Sequence, residues 1–183
     1  MNIFVIRKMW NLPLESEGEE KLLESESYRK MEDVELVLRF FAYRHIDNLK
    51  SPVDKFLDEY LKQANNYSEE TIKNLENIFQ ETIQLIYSIL GSSAFIPPKE
   101  KRDRRTPLKT IYDPIMQVFA NNIAHKKSLL KNKADIKSNL YSNTELLYIE
   151  EENNKSLFDG RYNNKKDVEA RMKYFHNFLQ DYI

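Results

Sequence analysis

The chain has 183 residues, enough for one domain with a sizeable core, and its net charge of −1 excludes a uniformly basic or acidic protein. With 31% charged and 12% aromatic residues it has a globular balance, and with no cysteine it has neither disulfides nor thiolate chemistry. No apolar run approaches the roughly 20 residues needed to span a bilayer, and Ile3-Phe4-Val5-Ile6 is too short for a signal sequence, so a cytoplasmic protein without membrane contact is expected.

Only three glycines, among many Leu, Ile, Glu and Lys, point to a mainly α fold. Residues 1–13 read either as a short strand or as an apolar arm. Its Ile3, Phe4, Ile6 and Trp10 need covering, either by the chain's own core or by a docking partner. An acidic, solvated short helix over residues 15–26 completes an N-terminal segment of residues 1–27. A long helix then spans residues 28–46. Within it Val34, Val37, Leu38 and Phe41 fall at i, i+3, i+4 and i+7, which lines one helical face. Glu35 and Arg39 are one turn apart with the acid first, the better order for a helical ion pair. Their apolar neighbours predict a structural pair that is at least half buried.

Pro52 suits a first helical position, and Val53, Phe56, Leu57 and Tyr60 or Leu61 form the buried stripe that follows. Ser68 is the expected N-cap of a helix running to Leu90, with Ile72, Leu75, Phe79, Ile83, Ile86 and Leu90 inward and Gly91 as its stop. Residues 28–95 thus read as a first helical lobe. Residues 96–106 form a connector, because Pro97-Pro98 resists helix and Lys99, Lys101, Arg102, Arg104 and Arg105 are five basic residues in seven. A second lobe spans residues 107–183. Its first helix restarts at Thr106-Pro107 and breaks or re-caps at Asp113-Pro114, with Ile115, Val118, Phe119 and Ile123 continuing the stripe. Another helix is expected over residues 133–148, and Asn153-Asn154 and Asp159-Gly160 mark turns. Asn164 with Asp167 caps the last helix, whose Val168, Met172, Phe175 and Leu179 face inward. The expected architecture is two packed multi-helix lobes joined by a basic, Pro-containing connector.

Charge is unevenly spread: residues 1–90 hold 11 Lys/Arg against 17 Asp/Glu, whereas residues 99–137 hold 11 against 4. Phosphate binding needs several long cations but little exact spacing, so Lys99, Lys101, Arg102, Arg104, Arg105, Lys126 and Lys127 are the candidate nucleic-acid contacts. A solvated linker is the bland account of the same run. Gly160 permits a left-handed turn and Arg161 lies just before the last helix, as a contact or as an anchor of that turn. His45, His125 and His176 lack metal-ligand spacing, and no HExxH motif occurs, so no metal site is expected. No Gly-rich phosphate cradle or Ser–His–Asp order is present, and pairs such as Asp58-Glu59 and Glu69-Glu70 read as solvated helix faces. No catalytic residue and no cofactor are therefore assigned.

Three blocks carry a family resemblance: RKMEDVELVLRFFAYR (29–44), SPVDKFLDEYL (51–61) with ETIQLIYSILGSSAF (81–95), and DGRYNNKKDVEARMKYFHNFL (159–179). Together they resemble the helical part of bacterial GmrSD-type restriction and phage-defence proteins, in which an N-terminal ParB/sulfiredoxin-like domain carries a DGQQR-type motif. A Gly-Arg turn like Gly160-Arg161 belongs to that resemblance. No DGQQR-like run occurs in these residues, so none of that family's enzymatic residues is carried over. The resemblance implies a non-catalytic helical module of a DNA-targeting defence system. It would support a ParB-like NTP-dependent domain on another chain, or be the separated half of one. The alternative expectation is an autonomous nucleic-acid-binding module using the basic surface of residues 99–133. A docking module is expected to expose an apolar patch near Ile3, Phe4 and Trp10.

Overall fold

The computed structural model describes residues 3–10, 12–49, 52–96, 106–141 and 163–183. Among these residues the chain is mainly helical and has no strand. Its helices are α1 (Ile3–Met9), α2 (Glu19–Glu24), α3 (Glu26–Arg29), α4 (Glu32–Tyr43), α5 (Val53–Ala64), α6 (Glu69–Leu90), α7 (Lys109–Asn121), α8 (Lys126–Lys131), α9 (Lys133–Asn139) and α10 (Lys165–Gln180). The basic run Lys99, Lys101, Arg102, Arg104 and Arg105 lies outside the described residues. So do Gly160, Arg161 and the expected turn at Asn153-Asn154.

Local signals place the helix ends. Ser68 Oγ accepts a hydrogen bond from the Thr71 N–H at 3.2 Å, and Asn164 Oδ1 accepts one from the Asp167 N–H at 3.0 Å. Gly91 ends α6 at φ +75°, a conformation that costs a glycine nothing. Residues 3–9 form helix rather than strand, and Ile6, Met9, Trp10 and Leu12 tuck onto the chain's own core. Trp10 is therefore not part of an exposed docking patch, although Phe4 is 54% exposed.

The expected helix over residues 28–46 is instead two helices, α3 and α4, separated at Met31, which sits in the left-handed region at φ 53°. The buried stripe of α4 also differs from the expected one. Asp33, Leu36, Val37, Phe40 and Tyr43 face inward, while Val34 is 51% exposed. A count of apolar residues misses this register because two of the inward residues, Asp33 and Arg39, are charged. On α6, Ile72 is exposed rather than inward, and burial begins in earnest at Phe79.

The two halves of the chain pack together through α7, in which every residue from Thr110 to Ala120 is buried. A helix apolar and buried on all sides belongs in the middle of a bundle, and α4, α6 and α10 surround this one. The main core joins Leu36 and Phe40 of α4, Ile83 and Ile86 of α6, Ile115 and Phe119 of α7, and Phe175 and Leu179 of α10. A smaller cluster joins Tyr43, Phe56, Leu57, Tyr60 and Val168. The helix does not break at Asp113-Pro114. Pro114 removes one helical hydrogen bond, a penalty of roughly 3 kcal/mol in an isolated helix, but here the turn is buried on every side and Asp113 is clamped from α4. The Leu108 N–H donates to the Phe95 carbonyl at 2.9 Å, which joins the chain before residue 96 to the chain after residue 106.

Candidate functional site

The strongest concentration of polar groups is an ionic junction where α4, α7 and α10 meet. Arg39 Nε donates to Asp113 Oδ1 at 2.9 Å while its Nη2 donates to Asp113 Oδ2, a two-pronged guanidinium–carboxylate pair. The same guanidinium donates to the Tyr43 hydroxyl at 3.3 Å and to Glu35 Oε1 at 3.4 Å. The expected Glu35–Arg39 pair is therefore present, but as the outer edge of a stronger one. Glu35 in turn accepts from Lys109 Nζ at 2.6 Å. From α10, Arg171 enters the same region fully buried, under the fields of the Asp113 and Asp167 carboxylates.

Burial and charge set the protonation of this cluster. Burial alone would lower the Arg39 pKa, but the Asp113 carboxylate outweighs it and holds the guanidinium ionised above its ordinary value. For Arg171 burial wins, and its pKa lies below the ordinary arginine value despite Asp113. Burial, reinforced by Asp113, pushes the Tyr43 hydroxyl up and keeps it neutral. With Asp113 at 1% exposure and Arg171 at 0%, no substrate reaches these groups from solvent. The enclosed Arg39–Asp113 pair and Arg171 orient three helices on one another, while Glu35 and Lys109 form the outer, partly exposed edge.

Two further bonds fix α7 on α4: Tyr112 donates to the Leu36 carbonyl at 2.7 Å and Gln117 to the Phe40 carbonyl at 2.8 Å. A second buried pair, Arg7 Nε to Asp33 Oδ2 at 2.8 Å, ties α1 to the start of α4. Trp10 Nε1 donates to Glu32 at 3.2 Å beside it.

Of the candidate nucleic-acid contacts, the described ones are Lys126 and Lys127. Both are exposed at the start of α8, together with Lys131 and, on α9, Lys133. Leu129 and Ile136 anchor the opposite faces of these helices in the core. A cavity of about 290 Å³ opens between the turn after α4 and α5, lined by His45, Asp47, Asn48, Phe56, Glu59, Tyr60 and Gln63. The His45 ring lies against Tyr60 with centroids 5.8 Å apart, and Asp47 is paired with Lys165 at 3.1 Å. Among the described residues no group of three or more His, Asp or Glu is placed to hold a metal ion, and His45, His125 and His176 do not converge. Among the same residues no helix is long and apolar enough to cross a membrane.

Sequence reasoning found Glu35 and Arg39 but missed Asp113, Arg171 and the Arg7–Asp33 pair. Helical spacing signals partners one turn apart, whereas Asp113 lies 74 positions from Arg39. The one available hint was Asp113-Pro114, a polar residue that interrupts an otherwise apolar stripe. No protein-family model, curated protein or solved structure matches the chain.

Proposed function

We propose that this chain is a non-catalytic helical module of a GmrSD-like, DNA-targeting restriction or phage-defence system, built to support a ParB-like NTP-dependent domain. One observation carries the reading: the three blocks of the resemblance, far apart in sequence, pack on one another. Arg39 of the first block pairs with Asp113, and Arg171 of the third lies buried within the field of the same carboxylate. Tyr43, Phe56 and Val168, one from each block, share the smaller cluster. Leu36, Ile83 and Phe175 do the same in the main core. The resembling residues thus form the frame of one helical body rather than scattered surface matches. A rigid, charge-clamped frame suits a supporting role, because it holds a partner's position without chemistry of its own.

The test is isothermal titration calorimetry of this chain against a separately purified ParB-like domain bearing a DGQQR-type motif. Saturable binding at a fixed stoichiometry supports the module. Absence of heat together with independent sedimentation of the two proteins overturns it.

A further inference from the structure

Four exposed lysines fall within eight positions on two consecutive short helices, Lys126, Lys127 and Lys131 on α8 and Lys133 on α9. Among the described residues, none of them has a hydrogen-bond or ion-pair partner. Lys127 and Lys131 stand at i and i+4, where like charges cost a helix roughly 0.2–0.5 kcal/mol rather than stabilising it. Lys137 differs in place: its Nζ lies 3.9 Å from where a Cβ on Gly91 would sit, beside the C-terminal end of α6, where the helix dipole favours a cation. Asp135 is the sole acid between residues 126 and 139.

The backbone that carries these lysines is held in place. Ser128 Oγ donates to the Tyr182 carbonyl at 2.7 Å, Asn132 Nδ2 donates to the same oxygen at 3.2 Å, and Asn139 Nδ2 donates to the Tyr182 hydroxyl at 3.3 Å. Leu129 and Ile136 are fully buried beneath it. The backbone beneath the lysines is therefore fixed, so that binding a ligand orders only the lysine side chains themselves.

We infer that the α8–α9 face is a contact surface for the phosphate backbone of duplex DNA. This goes beyond the docking role and stands without it, since it concerns a surface of this chain alone. Duplex is favoured over single strand because residues 126–139 contain no aromatic side chain on which unpaired bases would stack, and the adjoining Tyr182 is engaged by Phe178 and Asn139. Contacts of lysine with phosphate carry charge but no base readout, so binding through this face is independent of DNA sequence.

Fluorescence anisotropy of the full chain with a labelled duplex, across a salt series, tests the inference. Four phosphate contacts give a slope of log K against log salt of about −3.6, or about a hundredfold loss between 50 and 200 mM salt. The variant Lys127→Glu/Lys131→Glu should reduce that slope by about 2 and weaken binding at least about tenfold at the lower salt. The single variant Lys127→Glu removes the like-charge pair and places an acid one turn before Lys131, so its melting temperature should match or exceed the parent's while its affinity drops. Parent-like binding by both variants, with loss only in Arg102→Ala/Arg104→Ala/Arg105→Ala, would move the contact away from α8–α9 and overturn the assignment. Tighter binding to single strand than to duplex would also overturn it. So would displacement by polyglutamate at equal charge, which would indicate an acidic protein partner.

Discussion

Replacing Asp113 by asparagine keeps its shape and removes the carboxylate that acts on both arginines of the junction, Arg39 and Arg171. Breaking a buried pair by removing one partner typically costs about 3–5 kcal/mol, because the surviving charge is left desolvated. The figure should fall at the upper end here, since Arg39 keeps only 6% of its side chain exposed and Arg171 lies wholly inside. Glu35→Gln is the internal control. Glu35 is 34% exposed and 3.4 Å from Arg39, so its loss should cost no more than about 1 kcal/mol. For a chain of this length 1 kcal/mol moves the melting temperature by about 2–4 °C. Asp113→Asn should therefore lower it by about 10–20 °C, against about 2–4 °C for Glu35→Gln. Arg39→Met should fall between them, because Asp113 then still faces Arg171. Thermal denaturation followed by circular dichroism, with urea midpoints as a check, reads all three. If Asp113→Asn shifts the midpoint no more than Glu35→Gln, the junction does not bear on stability and the argument from burial fails.

Other consequences can be measured on the same footing. Burial raises the pKa of Tyr43 and of Tyr112 above the ordinary tyrosine value. Each hydroxyl then keeps its proton in the folded state where the unfolded chain has lost it. Stability is thus unaffected below about pH 10 and falls above it, by about 1.4 kcal/mol per pH unit for each such tyrosine. Urea midpoints should decline on the alkaline side, less steeply in Tyr112→Phe; a flat profile would contradict the burial of both. Trp10, the single tryptophan, packs edge-on to Tyr112 with centroids 5.7 Å apart and is 8% exposed. Its emission should be blue-shifted and resist acrylamide, and Asp33→Asn should increase quenching by loosening α1; parent Trp10 quenched as readily as a free indole would refute that packing. Ile72→Gln should change stability by less than about 0.5 kcal/mol, whereas Ile83→Ala should cost about 2–5 kcal/mol. Comparable losses in the two would mean that the exposed start of α6 is covered in solution.

What the sequence revealed was what neighbours in the chain decide. The caps at Ser68 and Asn164 and the stop at Gly91 depend on one residue and its next few backbone groups, and all three stand as read. The mainly helical class is likewise local. Register on α4 was only partly legible: its apolar neighbours placed Arg39 at least half inside, but periodicity set Val34 inward and gave no sign of Asp33, whose partner Arg7 is distant in the chain. The continuity of α7 through Pro114 was hidden for the same reason: propensity describes an isolated helix, and this one is enclosed by three others. In the candidate site, the i, i+4 spacing disclosed the weaker member of the junction and left the stronger invisible. The exposure of Lys126 and Lys127 agreed with their solvated sequence context, but the tether that fixes the backbone beneath them comes from Tyr182, more than fifty positions away from Ser128 by the chain.

That tether connects the two features that define this molecule. At six and seven residues, α8 and α9 are far too short to persist as helices on their own, since isolated helices below about 12–15 residues are marginal in water. They are held from below by Leu129 and Ile136 and from the side by Tyr182, just past the end of α10. The position of α10 is set in part by Arg171, roughly 16 Å back along the helix at about 1.5 Å per residue, where it enters the Asp113 junction on α7. A cationic surface with no internal partner thus takes the position of its backbone from the interior of the bundle. The buried ions and the apolar core together hold α10, and α10 through Tyr182 holds the backbone from which the surface lysines rise.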